Sequence, residues 1–205
     1  NRNPLGACAL AGTDFEIDRD LTARLLGFDR VDEHALAVIS NRDFIIETLF
    51  ALSMLMTNLS RLAADIVYGT SYEFRMWTLD DSYAMGSSIM PQKRNPDVLE
   101  LLRGSYHVLL GYETQVKTLT ANLISGYNRD IQLSKEPVMR GIKLVKVCLG
   151  ISAAVVSGLK VNKDKCLTAM TEELYATEKA YKMVKEGIPF REAYRKVAES
   201  IKDRK

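Results

Sequence analysis

Histidine is almost missing from this chain. Its only two, His34 and His107, stand far apart among unrelated residues, too few and too isolated to form a metal centre. Cysteine is scarce as well. Cys8, Cys148 and Cys166 are odd in number, widely spaced and set among aliphatic residues, so they read as free, mostly buried thiols of a reducing compartment. No sign of charge dominates: 28 basic against 26 acidic side chains leave a formal net charge of +2. That is too little to favour nucleic acid or an anionic membrane as partner. No run of eighteen apolar residues occurs and nothing at the amino terminus resembles a signal peptide, so no membrane partner is expected and the cytoplasm is the expected location. Alternating runs bounded by hairpin turns are also lacking, which argues against a β fold.

What is present is a chain of 205 residues, 47% hydrophobic and 26% charged, enough for one domain with a substantial core plus a small appendage. It starts without an initiator methionine and stops in a charged, helix-like stretch, so a portion of a longer protein is expected. Asn1 to Thr13, with Pro4, Gly6 and Gly12, reads as irregular backbone. Asp18 then caps a short helix over Arg19 to Leu26 that Gly27 ends. From Arg42 to Gly69 apolar residues recur every three or four positions (Ile45, Leu49, Leu52, Met56, Leu59, Ala63, Ile66), which predicts one long helix. Arg42 and Asp43 read as a structural pair or cap at its start. A second helix is expected from Pro96 to about Leu123, and a third from about Asp130 to Val156.

Gly158 to Asp164 changes character, and shorter helices follow over about 164–173, 176–185 and 189–201. The expected architecture is therefore all-α, with a bundle portion over 1–161 and a small helical domain over 162–205. The long helices carry more apolar surface than three of them can bury against one another, which predicts partner helices.

Residues 86–100, Gly-Ser-Ser-Ile-Met-Pro-Gln-Lys-Arg-Asn-Pro-Asp-Val-Leu-Glu, carry the chemistry. Gly86, Ser87 and Ser88 open a segment that cannot yet be helix, Lys93 follows, and Asn95 and Pro96 read as N-cap and first helical residue. Hydroxyls, an ammonium and the positive end of a helix dipole are brought together, which suits an anionic substrate and the charge that develops on it. A break at Gly126 sets Tyr127, Gln132 and Lys135 around the start of the next helix. The bland readings beside these are flexible-loop filler for Ser87 and Ser88, a solvated surface for Lys93, and ordinary helix-start polarity for Tyr127, Gln132 and Lys135.

The Gly86–Asp97 string closely resembles the signature of the fumarase/aspartase superfamily of lyases. Its Gln92-Lys93-Arg94-Asn95-Pro96-Asp97 form, followed by Leu99-Glu100-Leu101, resembles the argininosuccinate lyase branch. Pro4-Leu5-Gly6 with Ala11-Gly12-Thr13 and Asp18-Arg19, Tyr127 to Gln132 with Lys135-Glu136-Pro137, and Ala176-Thr177-Glu178 with Gly187 to Arg191 agree with that branch. Tyr194 departs from it, standing where the family usually has histidine.

The resemblance implies a long-helix bundle of the fumarase/aspartase type, a homotetramer built around twenty helices, and active sites shared between subunits. It implies reversible β-elimination of argininosuccinate to arginine and fumarate in arginine biosynthesis, with no metal and no organic cofactor. By that resemblance Ser87 is the base, its alkoxide stabilised by neighbouring donors, and Lys93 stabilises the intermediate or Ser87. Asn95 touches substrate as well as capping, and Glu100 orients the catalytic histidine of another segment. Tyr127, Gln132 and Lys135 bind substrate. Arg94 better fits a solvated surface residue. The Thr-His segment of the family does not occur in this sequence, so the chain alone is expected to be inactive. Adenylosuccinate lyase, aspartase and fumarase share the central motif, and a lens-crystallin-like structural relative is the reading of another class.

Overall fold

The structure, a computed structural model, describes residues 1–86 and 88–202. Ser87 lies outside the described residues. The order of elements is β1 (Arg2–Asn3), α1 (Arg19–Leu26), β2 (Arg30–Val31), α2 (Ala35–Ser40), α3 (Asp43–Thr70), β3 (Trp77–Thr78), β4 (Met85–Gly86), β5 (Arg94–Asn95), α4 (Asp97–Thr120), α5 (Lys135–Gly158), β6 (Lys160–Val161), α6 (Lys163–Thr168), α7 (Ala176–Lys185) and α8 (Phe190–Lys202). Short 3-10 turns occupy Asp81–Tyr83, Arg129–Ser134 and Glu172–Tyr175. The fold is all-α, as its sequence pattern requires. Its strands are two-residue pairs: β1 with β2 parallel, β3 with β6 and β4 with β5 antiparallel.

Contacts divide the chain into two compact units, Asn1–Val67 with Asp80–Gly158, and Tyr68–Leu79 with Leu159–Lys205. In the first, α1 starts and stops where its residues dictate. Asp18 Oδ1 accepts from Leu21 N at 2.8 Å, and Gly27 takes the left-handed conformation at φ 74. The start of α3 is set by Asn41, whose side-chain oxygen accepts from the Asp43 amide at 2.5 Å. Arg42 is spent on the carbonyls of Asn41 and Ile39 at 2.7 and 3.3 Å, a structural role. The helix α2 was not signalled: its cap is the ring of His34, which accepts from Ala37 N at 3.2 Å.

The buried positions of the long helices step by three and four: Ile45, Leu49, Ser53 and Met56 in α3, Leu99 and Leu102, then Leu109, Glu113 and Val116 in α4, and Gly141, Val145, Cys148, Ser152 and Val155 in α5. This spacing is the seam of a left-handed helical bundle. Three helices meet at Gly141, where a Cβ would stand 2.9 Å from Leu49 Cδ2 and 3.0 Å from Leu109 Cδ1. Further along, Leu59, Leu62, Ala63 and Ile66 of α3 face Leu99 and Leu102 of α4 and Ser152 and Val155 of α5. The α3 helix and the 129–158 segment are each long and apolar enough to cross a bilayer; their buried stripes meet one another in this core.

Among the described residues one charge, that of Glu113, is buried there. Burial of Glu113 raises its affinity for a proton, but the Lys117 ammonium and the nearby Ser53 hydroxyl outweigh that and hold the carboxyl below its usual range. Among the described residues Ser53 Oγ has no hydrogen-bond partner of good geometry. Cys148 is buried beside Ser105, and burial pushes its thiol up. Cys8, expected inside, is exposed on a left-handed residue at φ 57, because the surrounding glycine-rich segment folds as a surface loop.

In the second unit, α7 and α8 close on Ala180, Ala193 and Val197, after Gly187 turns the chain at φ 97. Tyr194 is exposed and its ring lies 6.4 Å from that of Phe190. The end of α3 belongs to this unit, and there Gly69 admits the indole of Trp77. A Cβ on residue 69 would stand 2.2 Å from Trp77 Cε2 and Cζ2. Gly69→Ala gains about 1 kcal/mol of helix propensity but forces the ring out, a larger overpacking cost of about 1–3 kcal/mol. Because Trp77 is the single tryptophan, its emission reports the change directly. The expected result is a red shift with a lowered melting temperature, and an unchanged spectrum would refute the contact.

Candidate active site

The signature segment is a hairpin. Met85 pairs with Asn95 and Gly86 with Arg94, and within the connection Lys93 N donates to Met90 O at 3.1 Å. Ser88, Ile89, Met90, Pro91, Gln92 and Lys93 are exposed. Among the described residues Lys93 makes no ion pair, whereas Arg94 pairs with Asp81, Nε to Oδ1 at 3.5 Å.

Asn95 corrects an expectation. It does not cap α4: held extended by its pairing with Met85, it passes the helix start to Pro96, which has no side-chain cap and whose carbonyl accepts from Leu99 N and Glu100 N at 2.9 and 3.1 Å. Asn95 stays half-buried at the foot of the hairpin. Glu100 lies in the first turn of α4, exposed and, among the described residues, without an ion pair. An acidic first turn is favoured by the helix dipole, so the carboxylate costs nothing to hold there and is open to a partner.

The second group forms around the turn into α5. Gly126 is buried at φ 115 with Leu10 Cδ1 2.8 Å from where a Cβ would stand, and Asn128 Nδ2 donates to Ile124 O at 2.9 Å. The chain then enters a 3-10 turn over Arg129–Ser134. Ile131, Ser134 and Pro137 are buried at steps of three, the period of a 3-10 helix. Pro137 cannot donate to the Leu133 carbonyl, so the regular α ladder begins only at Lys135. This inward anchoring leaves Tyr127 and Lys135 exposed and Gln132 half-buried. Gln132 Nε2 donates to the Tyr127 hydroxyl at 2.6 Å, joining two of the expected site residues. Lys135 stands at the first position of α5, where its charge adds to the positive end of the helix instead of cancelling the negative one.

The two groups do not meet within the chain. Gly141 lies beside Leu109, Cys148 beside Ser105, and Ser152 and Val155 at the level of Leu99 and Leu102, so α4 and α5 run antiparallel. The hairpin and Glu100 sit where α4 begins; Tyr127, Gln132 and Lys135 sit where it ends. At 24 residues α4 is about 36 Å long, which puts the groups on the order of 30 Å apart. Sequence order hides this separation, because only the register of α5 on α4 reveals it.

Comparison with known proteins decides the family. A family model described as "Lyase" matches residues 1–111. The chain belongs to this lyase family. Within it the chain is 45% identical to an argininosuccinate lyase of Bacillus velezensis and 44% identical to that of Bacillus subtilis, each over 202 residues. Both matches take in 98% of this chain and 44% of the relative, so the chain spans less than half the length of the curated relatives it matches. Among solved structures, an EDDS lyase in complex with formate superposes with a TM-score of 0.85 at 30% identity, over 98% of this chain and 40% of the other. A class II fumarase from Schistosoma mansoni superposes with a TM-score of 0.79 at 18% identity, over 100% of this chain and 47% of the other, which shows the shared fold. These likenesses place the chain in the fumarase/aspartase superfamily.

Proposed function

We propose that this chain supplies part of an argininosuccinate lyase, which cleaves argininosuccinate reversibly to arginine and fumarate in cytoplasmic arginine biosynthesis. The near end-to-end likeness to argininosuccinate lyases carries this reading. The site residues fit its chemistry. A proton leaves the carbon next to a succinyl carboxylate, its electron pair moves into that carboxylate, and the C–N bond then breaks as fumarate's double bond forms. The departing guanidino nitrogen takes a proton from an acid on another segment.

Ser87, as alkoxide, is the base, and the Lys93 ammonium stabilises the doubly charged carboxylate. Asn95 holds the substrate at the foot of the hairpin, and Glu100 orients a histidine from elsewhere in the assembly. Lys135 pairs with a carboxylate while Tyr127 and Gln132 hydrogen-bond to the substrate. No metal or cofactor has a part. The separation of the two groups along α4 favours a site drawn from several copies. So do the uncovered apolar residues of the long helices, with Phe44 62%, Leu101 73% and Met139 71% exposed. A homotetramer built round a shared bundle meets both needs. In it, residues 1–161 form the bundle portion and 162–205 the small domain.

The experiment is a graft. The chain replaces the 202 matched residues of the Bacillus subtilis argininosuccinate lyase, so that the remaining segments are supplied, and fumarate release is followed spectrophotometrically. Argininosuccinate is expected to be turned over by the grafted lyase and not by chain 1–205 alone. Turnover of adenylosuccinate, aspartate or malate in its place would move the assignment to another lyase of the superfamily. The likeness to EDDS lyase adds ethylenediaminedisuccinate to that panel.

A further inference from the structure

We propose that Asp81 and Arg94 are positioning residues: their ion pair ties the hairpin of β4 and β5 to the end of the helical bundle. The tie rests on the lyase reading only for its effect on turnover.

Its fixed end is the 3-10 turn Asp81–Tyr83. Asp80 Oδ1 accepts from Ser82 N at 3.0 Å and from the Ser82 hydroxyl at 2.7 Å, which locks the turn locally. The ring of Tyr83 lies against Gly158, the last residue of α5, with Cε2 3.3 Å from where a Cβ would stand. The turn is thereby seated on the bundle, and it presents the Asp81 carboxylate towards the hairpin. The other end is Arg94. Its backbone pairs with Gly86 across the strands, its Nη1 lies 3.5 Å from where a Gly86 Cβ would stand, and its Nε faces Asp81 Oδ1 at 3.5 Å. One side chain therefore covers one strand, belongs to the other and reaches the anchored turn.

An exposed pair of this kind is weak in absolute terms. Here it acts on a two-residue ladder that is itself marginal, so a small bias in free energy changes the paired population measurably. The pair also sorts the two adjacent cations. Arg94 faces Asp81, whereas among the described residues Lys93 makes no ion pair.

The test is hydrogen exchange, followed by mass spectrometry, on a peptide covering 84–96 in chain 1–205. Asp81→Asn and Arg94→Gln are each expected to speed exchange of that peptide about two- to fivefold, with peptides from α4 and α8 and the melting temperature unchanged. Arg94→Lys keeps the parent rate, the double variant is no faster than either single one, and 1 M salt brings the parent to the rate of the variants. In the grafted lyase the same variants lower kcat by a similar factor at unchanged KM, and Arg94→Lys restores it. Unchanged exchange in Asp81→Asn, or Arg94→Lys exchanging as fast as Arg94→Gln, overturns the proposal. Faster exchange in the two variants, together with a grafted parent that forms no fumarate, supports the tie and removes the lyase reading instead.

Discussion

Ser87→Ala in the grafted lyase is expected to lower kcat by about 10²–10⁴-fold, the range a positioned general base contributes. Alanine removes the hydroxyl oxygen, the only atom of that side chain able to accept the substrate's proton, and leaves the backbone intact. Serine and alanine differ by a single oxygen, so the melting temperature should stay within about a degree of the parent. KM should change little, because the proton moves only after the substrate is held by other groups. Near-normal turnover would take Ser87 out of the mechanism and leave the elimination to another base.

Lys93→Ala is expected to lower kcat by about 10²–10³-fold, the size of effect seen when a preorganised group facing developing charge is removed. In the ground state the carboxylate carries one negative charge; in the intermediate it carries two. Lys93 therefore binds the intermediate more strongly than the substrate, and the loss appears in kcat and kcat/KM together. The neighbouring cation gives the control. Arg94 is committed to Asp81, and its removal should cost about two- to fivefold. Equal losses at 93 and 94 would mean that the loop needs net positive charge and not one placed ammonium.

Much of the frame is legible in the chain because its helices follow local rules. The steps of three and four from Ile45 to Ile66 name α3, and the Asp18 and Gly27 signals bound α1 to the residue. The two-residue strands are too short for any alternation to register, so the hairpin that shapes the signature segment was invisible. Asn95 followed by Pro96 is good capping chemistry, yet pairing with Met85 overrides it. The cap of α2 is a histidine, a residue rarely used there, which is why that helix went unnoticed. Ile142, Val147 and Leu149 look like core by composition; they are exposed because α5 is apolar on more sides than α3 and α4 can cover. Of the candidate site, the order Lys93, Asn95, Glu100, then Tyr127, Gln132, Lys135 carries no sign of how the two sets stand to one another in space. Antiparallel packing of α4 and α5 sends them to opposite ends.

That separation is tested most directly by mixing. Lys93→Ala disables the hairpin end and Lys135→Ala the other, and each variant of the grafted lyase alone should be nearly inert. Unfolded together in equal amounts and refolded, they form assemblies in which some sites draw both ends from undamaged copies. If each site takes its two ends from different chains, about a quarter of the sites are whole and about a quarter of the parent activity returns. If both ends come from one chain, no site can be whole, and the mixture will be no more active than its two components.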